Sequence, residues 1–432
     1  MFLYNLVKET GALEVINQNI KIIIDDSYIQ FMLLSWVFAP FLQGIAGFGV
    51  PVIVVTPILI AMGFDPIVSA ASVLIGHAWS ISFGSMGSSI YAIDMVTETS
   101  AETIVPYMAI FGSLSMTVLG FAISAIYGGK KYLVKGAPYI LVTSAVMGLS
   151  LYVLARLEMF SVIGLLTGIL GLITLFSLYR LSHRGRTLGA LYRNKLTLSQ
   201  SLLPYILIVL LSVAFFVLKP GWALTLDYPG YVTAGGVEMD PEPGYVSFNL
   251  LKYPFSIILM SSLLSSLLYK KRGCFSWDTA KKVIKATANK CIPTSITLVF
   301  LLCMAQLMMD SGMIASIADM LVAITGGLYP LVSPFIGLLG AFITGSNTNS
   351  NVLFGNLQEI AAGSLALSPA VMCAAQSIGA SVGGAIGPTT VALGATSAQV
   401  IGQESKIYKL TLLPVLGTVL LLGIGNLLIL YT

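Results

Sequence analysis

The chain has 432 residues, 56% of them hydrophobic and 9% charged, where a soluble domain carries about 25% charged residues, so a water-soluble fold is excluded. Its net charge of +4 is concentrated: fifteen of the 22 Lys and Arg residues fall within 130–135, 180–195 and 270–290. The four cysteines, Cys274, Cys291, Cys303 and Cys373, have no paired spacing, which argues against a disulfide framework or a zinc pattern.

In chain order, the N-terminus carries Lys8 and Glu9 where a leader would be apolar, so it does not read as a cleaved signal peptide. Between 28 and 90, Gly, Pro and Ser interrupt apolar segments. One run ends in Gly44-Ile45-Ala46-Gly47-Phe48-Gly49-Val50-Pro51, a short run reaches Met62, and Gly63-Phe64-Asp65-Pro66 starts another that dissolves at Ser82-Phe83-Gly84-Ser85-Met86-Gly87. Apolar segments follow at 104–128, 137–155, 159–179, 202–218 and 247–269, each close to the roughly 20 residues a bilayer requires. Two of them separate each basic stretch from the next, so all three basic stretches face one side, and the positive-inside rule makes that side cytoplasmic. The opposite connections are acidic: 84–103 holds Asp94, Glu98 and Glu102, and 219–246 holds Asp227, Glu238, Asp240 and Glu242 against Lys219. His183 lies in a basic loop and reads as solvated.

The region 330–402 repeats the plan of 28–90. Its run breaks at Thr344-Gly345-Ser346-Asn347-Thr348-Asn349-Ser350-Asn351, restarts at Ser368-Pro369, and dissolves at Gly383-Gly384-Ala385-Ile386-Gly387-Pro388. Placing Pro66 on Pro369 also matches Val68 with Val371, Ala71 with Ala374, Ile75 with Ile378 and Gly76 with Gly379, an offset of 303. Paired broken segments in two halves of a hydrophobic chain are the mark of a repeat-built carrier. The expectation is an all-α polytopic membrane protein of about ten to twelve hydrophobic segments. It divides into an N-terminal repeat (1–129), connecting helices (130–290) and a C-terminal repeat (291–432).

Irregular backbone survives inside a bilayer only where it is buried in protein or lines a wet cavity. The breaks are therefore the candidate substrate site. Half-helix N-termini there favour an anion. Gly44, Gly47, Gly49 and Gly345 would let backbone approach it, or else serve close helix packing. Gln43, Ser346, Asn347, Thr348, Asn349 and Gln376 would supply side-chain donors and acceptors. No Lys or Arg occurs between Lys21 and Lys130 or between Lys290 and Lys406, so a bound carboxylate needs helix termini, hydroxyls, amides, a co-bound ion or His77. An ionisable side chain at this depth is a functional candidate, and His77 is the candidate proton carrier, although a packing role is open to it as well. A sodium ion near Ser346, Asn347 and Thr348 is the other way to supply positive charge.

These residues resemble the L-lactate permease family, the lactate and glycolate symporters of bacteria and archaea. The resemblance rests on Leu3-Tyr4-Asn5-Leu6, Phe41 to Val52, Gly63-Phe64, Ser82-Phe83-Gly84, Phe342 to Gln358, Gly387-Pro388 and Gly402-Gln403-Glu404-Ser405, and is looser over 130–300. It implies a secondary carrier, usually proton-coupled, for short 2-hydroxymonocarboxylates, with further hydrophobic helices ahead of Leu3-Tyr4-Asn5-Leu6. Departures from the family pattern are neutral: Gln43 stands for Glu, Asn347 for Asp and Ala385 for Lys, while His77 replaces an Asn. The run Ser346-Asn347-Thr348 is also similar to the Ser-Asn-Thr signature of divalent-anion/sodium symporters.

The resulting reading is an ion-coupled permease for a small monocarboxylate in the cell membrane, with a carrier or channel for a sulfonate or neutral solute as the alternative. No nucleophile–base pair, metal cluster or phosphate-binding glycine loop marks an enzyme or a cofactor. The partners implied are the organic anion, a proton or sodium ion and the lipid bilayer. Nucleic acid is not among them, and a homo-oligomer is compatible with the sequence.

Overall fold

Proline lacks a backbone N–H and so opens a helix at no cost in hydrogen bonding. Pro66 and Pro369 each do this, the first behind an Asp65 cap that accepts from the N–H groups of Ile67 and Val68. The computed structural model describes residues 2–47, 49–182, 191–218, 223–228, 230–232, 238–239, 242–249 and 254–432. Phe48, His183 with much of the basic stretch 180–195, and parts of the acidic connection 219–246 lie outside the described residues.

The first third contains α1 (Phe2–Glu9), α2 (Ala12–Ile23), α3 (Ser27–Met32), α4 (Ala39–Ala46), α5 (Val50–Ala61), α6 (Pro66–Gly76), α7 (Ser88–Asp94) and α8 (Ala101–Gly128). A π-helical turn, Leu33–Phe38, joins α3 to α4. The middle has α9 (Lys130–Arg156), α10 (Ile163–Ser182), α11 (Leu198–Leu218), α12 (Pro254–Lys271) and α13 (Trp277–Asp310). The last third has α14 (Met313–Thr325), α15 (Tyr329–Thr344), α16 (Asn347–Ser364), α17 (Pro369–Gly383), α18 (Pro388–Ser397) and α19 (Glu404–Tyr431). Eight described segments are long and apolar enough to cross a membrane, and two shorter apolar helices, Val50–Ala61 and Leu198–Leu211, accompany them. The protein is an all-α, multi-pass membrane protein.

Two small antiparallel strand pairs interrupt the helices: β1 (Ala223–Tyr228) with β4 (Glu242–Asn249), and β2 (Tyr231–Val232) with β3 (Glu238–Met239). They correct the apolar segment expected at 247–269, whose helix starts at Pro254. The physical reason is local. Tyr245-Val246-Ser247-Phe248 alternates with β-branched and aromatic residues, the pattern of a strand, and Pro254 then opens the helix.

Several joints of the two broken regions keep the same spacing. α5 and α16 end at Ala61 and Ser364, α6 and α17 start at Pro66 and Pro369, and α8 and α19 both run 28 residues, from Ala101 and Glu404. All these positions are 303 apart. Packing is reciprocal: α5 lies on α18 and α16 on α7, while α6 lies on α19 and α17 on α8. Exchange of partners in this way is what a two-fold relation between halves produces. Equivalent glycines make the closest approaches. A Cβ on Gly76 would stand 2.1 Å from the Ser35 carbonyl oxygen, and one on Gly379 would stand 2.1 Å from the Pro334 carbonyl oxygen.

The broken helices occupy the interior. The apolar windows of Ser27–Ile45 and Pro369–Ile386 are each 94% buried, against 39% for Lys130–Arg156 and 33% for Glu404–Tyr431. The latter present Leu149, Leu413 and Leu420 outward, the surface that suits lipid. Beside the basic end of α9, Asp26 caps α3 and pairs with Lys135 at 3.0 Å. Burial opposes ionisation of Asp26, but the Ile29 and Tyr28 N–H groups and Lys135 together hold its carboxyl below the usual range.

Candidate functional site

The site is built where the tips of the broken helices meet the second break of the first repeat. Gly345, in the left-handed conformation (φ 70), ends α15, and Ser346 caps α16 by accepting from the Asn349 N–H at 3.3 Å. Asn347 is thereby placed first in α16, 2% exposed, with its Nδ2 donating to Ser82 Oγ at 2.7 Å. One turn further, Asn351 Nδ2 donates to Ser377 Oγ at 3.0 Å and to the Ser89 carbonyl at 2.9 Å. Thr348 Oγ1 lies 2.9 Å from Ser89 Oγ.

Ser82 is the hub. Its N–H donates to Ser381 Oγ (3.0 Å), its hydroxyl donates to the Ser377 carbonyl (2.9 Å), and its oxygen accepts from Asn347. Ser381 in turn donates to the Ala78 carbonyl at 2.5 Å. Gln376 Nε2 reaches Ser350 Oγ at 3.2 Å. The irregular backbone of the first repeat is thus stitched to α16 and α17 of the second by neutral groups, as backbone at this depth requires.

The network is incomplete in one respect. Asn347 Oδ1, Asn351 Oδ1, Gln376 Oε1 and Gln43 Oε1 are buried acceptors, and Trp79 Nε1 is a buried donor, with no partner among the described residues. Each such group costs about 1–3 kcal/mol. Other buried polar atoms lack partners too, among them Thr56 Oγ1 and Asn426 Oδ1, but these five lie on α16, on α17, in the break 77–87, or, for Gln43, against Gly84 in that break. Acceptors of this kind suit a hydroxyl or a bare cation. The Trp79 N–H and the first N–H groups of α16 suit a carboxylate.

The other residues singled out by sequence are placed differently. Gln43, 3% exposed, packs its amide against Gly84. Gly47 (φ 58) and Gly49 (φ 72) form the tip between α4 and α5, where added side-chain carbons would strike Ser85 and Leu393. Gly44 faces α10, with a Cβ position 2.7 Å from the Leu165 nitrogen, so close packing accounts for it. Among the described residues, Asn349 enters the hydrogen bonding through its backbone alone. His77 ends α6, 4% exposed, and its Nδ1 lies 2.6 Å from the Val73 carbonyl. That places the proton on Nδ1 and leaves Nε2 as acceptor in the neutral ring. No hydrogen bond described joins it to the Ser82 network.

Sequence reading missed Ser82, Ser89, Ser377 and Ser381 as site residues. A signal existed for two of them: Ser377 and Ser381 are four apart and so share one helical face. A cavity of about 490 Å³ between α2, the π-helical turn with α4, α10 and α11 is lined almost wholly by apolar side chains and touches none of this network. It suits acyl chains better than a carboxylate.

The sequence matches the model of the L-lactate permease family over residues 1–218 and 237–432. The chain belongs to that family. It is 30% identical over 380 residues to an L-lactate permease of Streptococcus iniae, covering 87% of this chain and 78% of the relative. It is 26% identical over 459 residues to an L-lactate permease of Bacillus subtilis (strain 168), covering 95% and 80%. A glycolate permease of Escherichia coli (strain K12) is 25% identical over 460 residues, with the same coverage of 95% and 80%. This member of the L-lactate permease family is a transporter and not an enzyme, and its neutral serine–amide network lies where the family motifs Phe41 to Val52 and Phe342 to Gln358 converge on residues 80–89.

Proposed function

We propose that the chain is a secondary carrier that moves a small 2-hydroxymonocarboxylate, of the size of lactate or glycolate, across the cell membrane. The observation that carries this is the set of unpaired groups at the repeat junction. The amide oxygens of Asn347, Asn351 and Gln376 accept the substrate hydroxyl, and the α16 N-terminus and Trp79 N–H take its carboxylate. The names of its relatives, lactate and glycolate permeases, support the same substrate class.

Charge placement supports an orientation. α8 runs from Glu98 and Glu102 to Lys130, Lys131 and Lys135, whereas its equivalent α19 starts beside Lys406 and Lys409. With the basic ends in the cytoplasm, α8 runs inward and α19 outward. Residues 1–129 and 291–432 are then inverted repeats joined by 130–290, and alternating access is a rocking of one about the other. The basic stretches 130–135, 180–195 and 270–290 are cytoplasmic, and the turns at 95–100 and 365–368 are outside.

The coupling ion follows from which group changes charge. His77 takes a proton on Nε2, supplying the positive charge that the neutral network lacks. A second reading is favoured by the unpaired oxygens of Asn347, Asn351 and Gln376, which would hold a sodium ion. In proteoliposomes loaded by an imposed pH gradient, His77→Gln is expected to abolish the pH dependence of lactate accumulation, while removal of sodium from the native protein changes little. Collapse of accumulation without sodium, with His77→Gln indistinguishable from native, would replace the proton by sodium.

A further inference from the structure

The face of α16 that begins at the site runs on to a carboxylate that the site does not use. Thr348, Asn351, Val352, Gly355 and Glu359 form one stripe along the helix, and α7 with the turn after it packs along it, joined at Val352 by Ala305 of α13. At the inner end are the contacts of Thr348 and Asn351 with Ser89. Val352 is buried against Ala92 and Val96 in the middle, and a Cβ on Gly355 would stand 3.1 Å from Val96. At the outer end Glu359 Oε2 accepts the Glu98 N–H at 2.9 Å, and Oε1 accepts both the Thr99 N–H at 2.8 Å and the Thr99 hydroxyl. A single carboxylate, 260 residues away in sequence from Thr99, thus fastens the first repeat to the second.

We propose that Glu359 is a proton-operated lock on the seam between α7 and α16. As a carboxylate it holds the turn 97–99 and keeps the substrate site closed toward the outside. A carboxyl group that takes a proton loses its charge and turns one oxygen into a donor, so it holds these three donors more weakly, the turn is loosened and the seam opens. The lock makes outward opening depend on external protons, and it rests on the carrier reading and orientation given above. Its asymmetry fits that role: on the reciprocal seam between α5 and α18, the place of Glu359 is held by Thr56, which cannot titrate.

The titratable groups around Glu359 do not tie the turn to the second repeat as it does, although Asp94 braces the same turn within the first by accepting the Ala101 N–H at 2.6 Å. They are buried Cys373 on α17 and buried Tyr329 on α15, which donates to Gln358. The others are exposed: Glu98 in the turn, Asp94 ending α7, Glu102 on α8, Asp319 on α14 and Cys303 on α13. No Lys or Arg lies between Lys290 and Lys406 or between Lys21 and Lys130, so these stretches bring no cation to compete for the carboxylate.

The test is labelling of Val96→Cys, buried in the seam at 7% exposure, by a membrane-impermeant maleimide in proteoliposomes. Cys274, Cys291, Cys303 and Cys373 are replaced by serine or alanine in the same chain. Maleimide reacts with the thiolate, whose fraction falls about tenfold per pH unit below the thiol pKa, so each rate is divided by that of the exposed control Met95→Cys (69% exposed) in the same background at the same pH. This ratio is expected to rise about tenfold as external pH falls from about 8 to about 4.5. With Glu359→Gln added, the ratio should be high throughout. A ratio independent of pH with Glu359 present, or the full pH response surviving in Glu359→Gln, overturns the lock. Should Glu359→Gln fail to fold, Thr99→Val removes one donor and should move the response to higher pH; an unmoved response counts against the proposal equally. Lactate uptake by the same vesicles separates the two ideas. Labelling as expected without uptake removes the substrate reading and leaves the lock, whereas uptake without a labelling response removes the lock alone.

Discussion

A chain carrying Gly379→Ala is expected not to accumulate as a folded membrane protein. The added methyl would lie 2.1 Å from the Pro334 carbonyl oxygen and 2.6 Å from its Cα. These are backbone atoms of α15, a helix packed along the length of α17, and neither helix can yield without moving the Ser82 network. Overpacking a core usually costs about 1–3 kcal/mol; a clash with backbone on a central helix pair belongs at or above the upper end. Gly76→Ala should behave alike, because the Ser35 carbonyl stands equally close to it. Gly417→Ala on α19 is the control, since a Cβ there meets nothing within 4 Å. Fluorescence-detected gel filtration of detergent extracts separates these outcomes. A monodisperse Gly379→Ala peak with native thermal stability would show that the two backbones do not approach as described.

Asn347→Ala is expected to weaken substrate binding roughly 5- to 150-fold, the equivalent of about 1–3 kcal/mol for loss of a buried hydrogen-bonding partner. Two losses add. The bond to Ser82 Oγ disappears, loosening the irregular backbone of the first repeat, and the unpaired Oδ1 is no longer there for the ligand. Ser346→Ala should have a smaller effect of about 1 kcal/mol, because it removes only the cap of α16. Half-saturation constants for uptake, measured on variants that elute as the native protein does, decide the matter. An Asn347→Ala variant with native half-saturation would take the site away from the α16 tip.

What the sequence made legible follows from how each feature is encoded. Helix-opening prolines and apolar periodicity are local, so Pro66, Pro369 and the spacing of 303 are readable in the chain itself, and the starts of α6 and α17 and of α8 and α19 fall on that spacing. Asn347 and Thr348 stand out because six consecutive small or polar residues break an apolar run. Ser377 and Ser381 do not, because a serine in an unbroken apolar helix carries the same local signal whether it packs or binds. Their role comes from a partner, Ser82, that is 295 residues away from Ser377. Gly44 shows the converse: it looks like the tip glycines Gly47 and Gly49, yet α10 lies against it. The strands β1 to β4 are masked by the acidic character of the connection that holds them, which reads first as charge. Glu359 lies outside the breaks and carries no local signal, since its meaning lies in the turn it holds from the other repeat.

The most direct test of the carrier itself is uptake of labelled lactate by proteoliposomes of the purified protein, competed with glycolate, pyruvate, propionate, a short sulfonate and glycerol. With the Asn347, Asn351 and Gln376 oxygens accepting a hydroxyl and the α16 N-terminus taking a carboxylate, glycolate should compete as well as unlabelled lactate, propionate weakly and glycerol not at all. Absence of lactate uptake, or competition by the sulfonate or glycerol while glycolate is inert, would contradict the account.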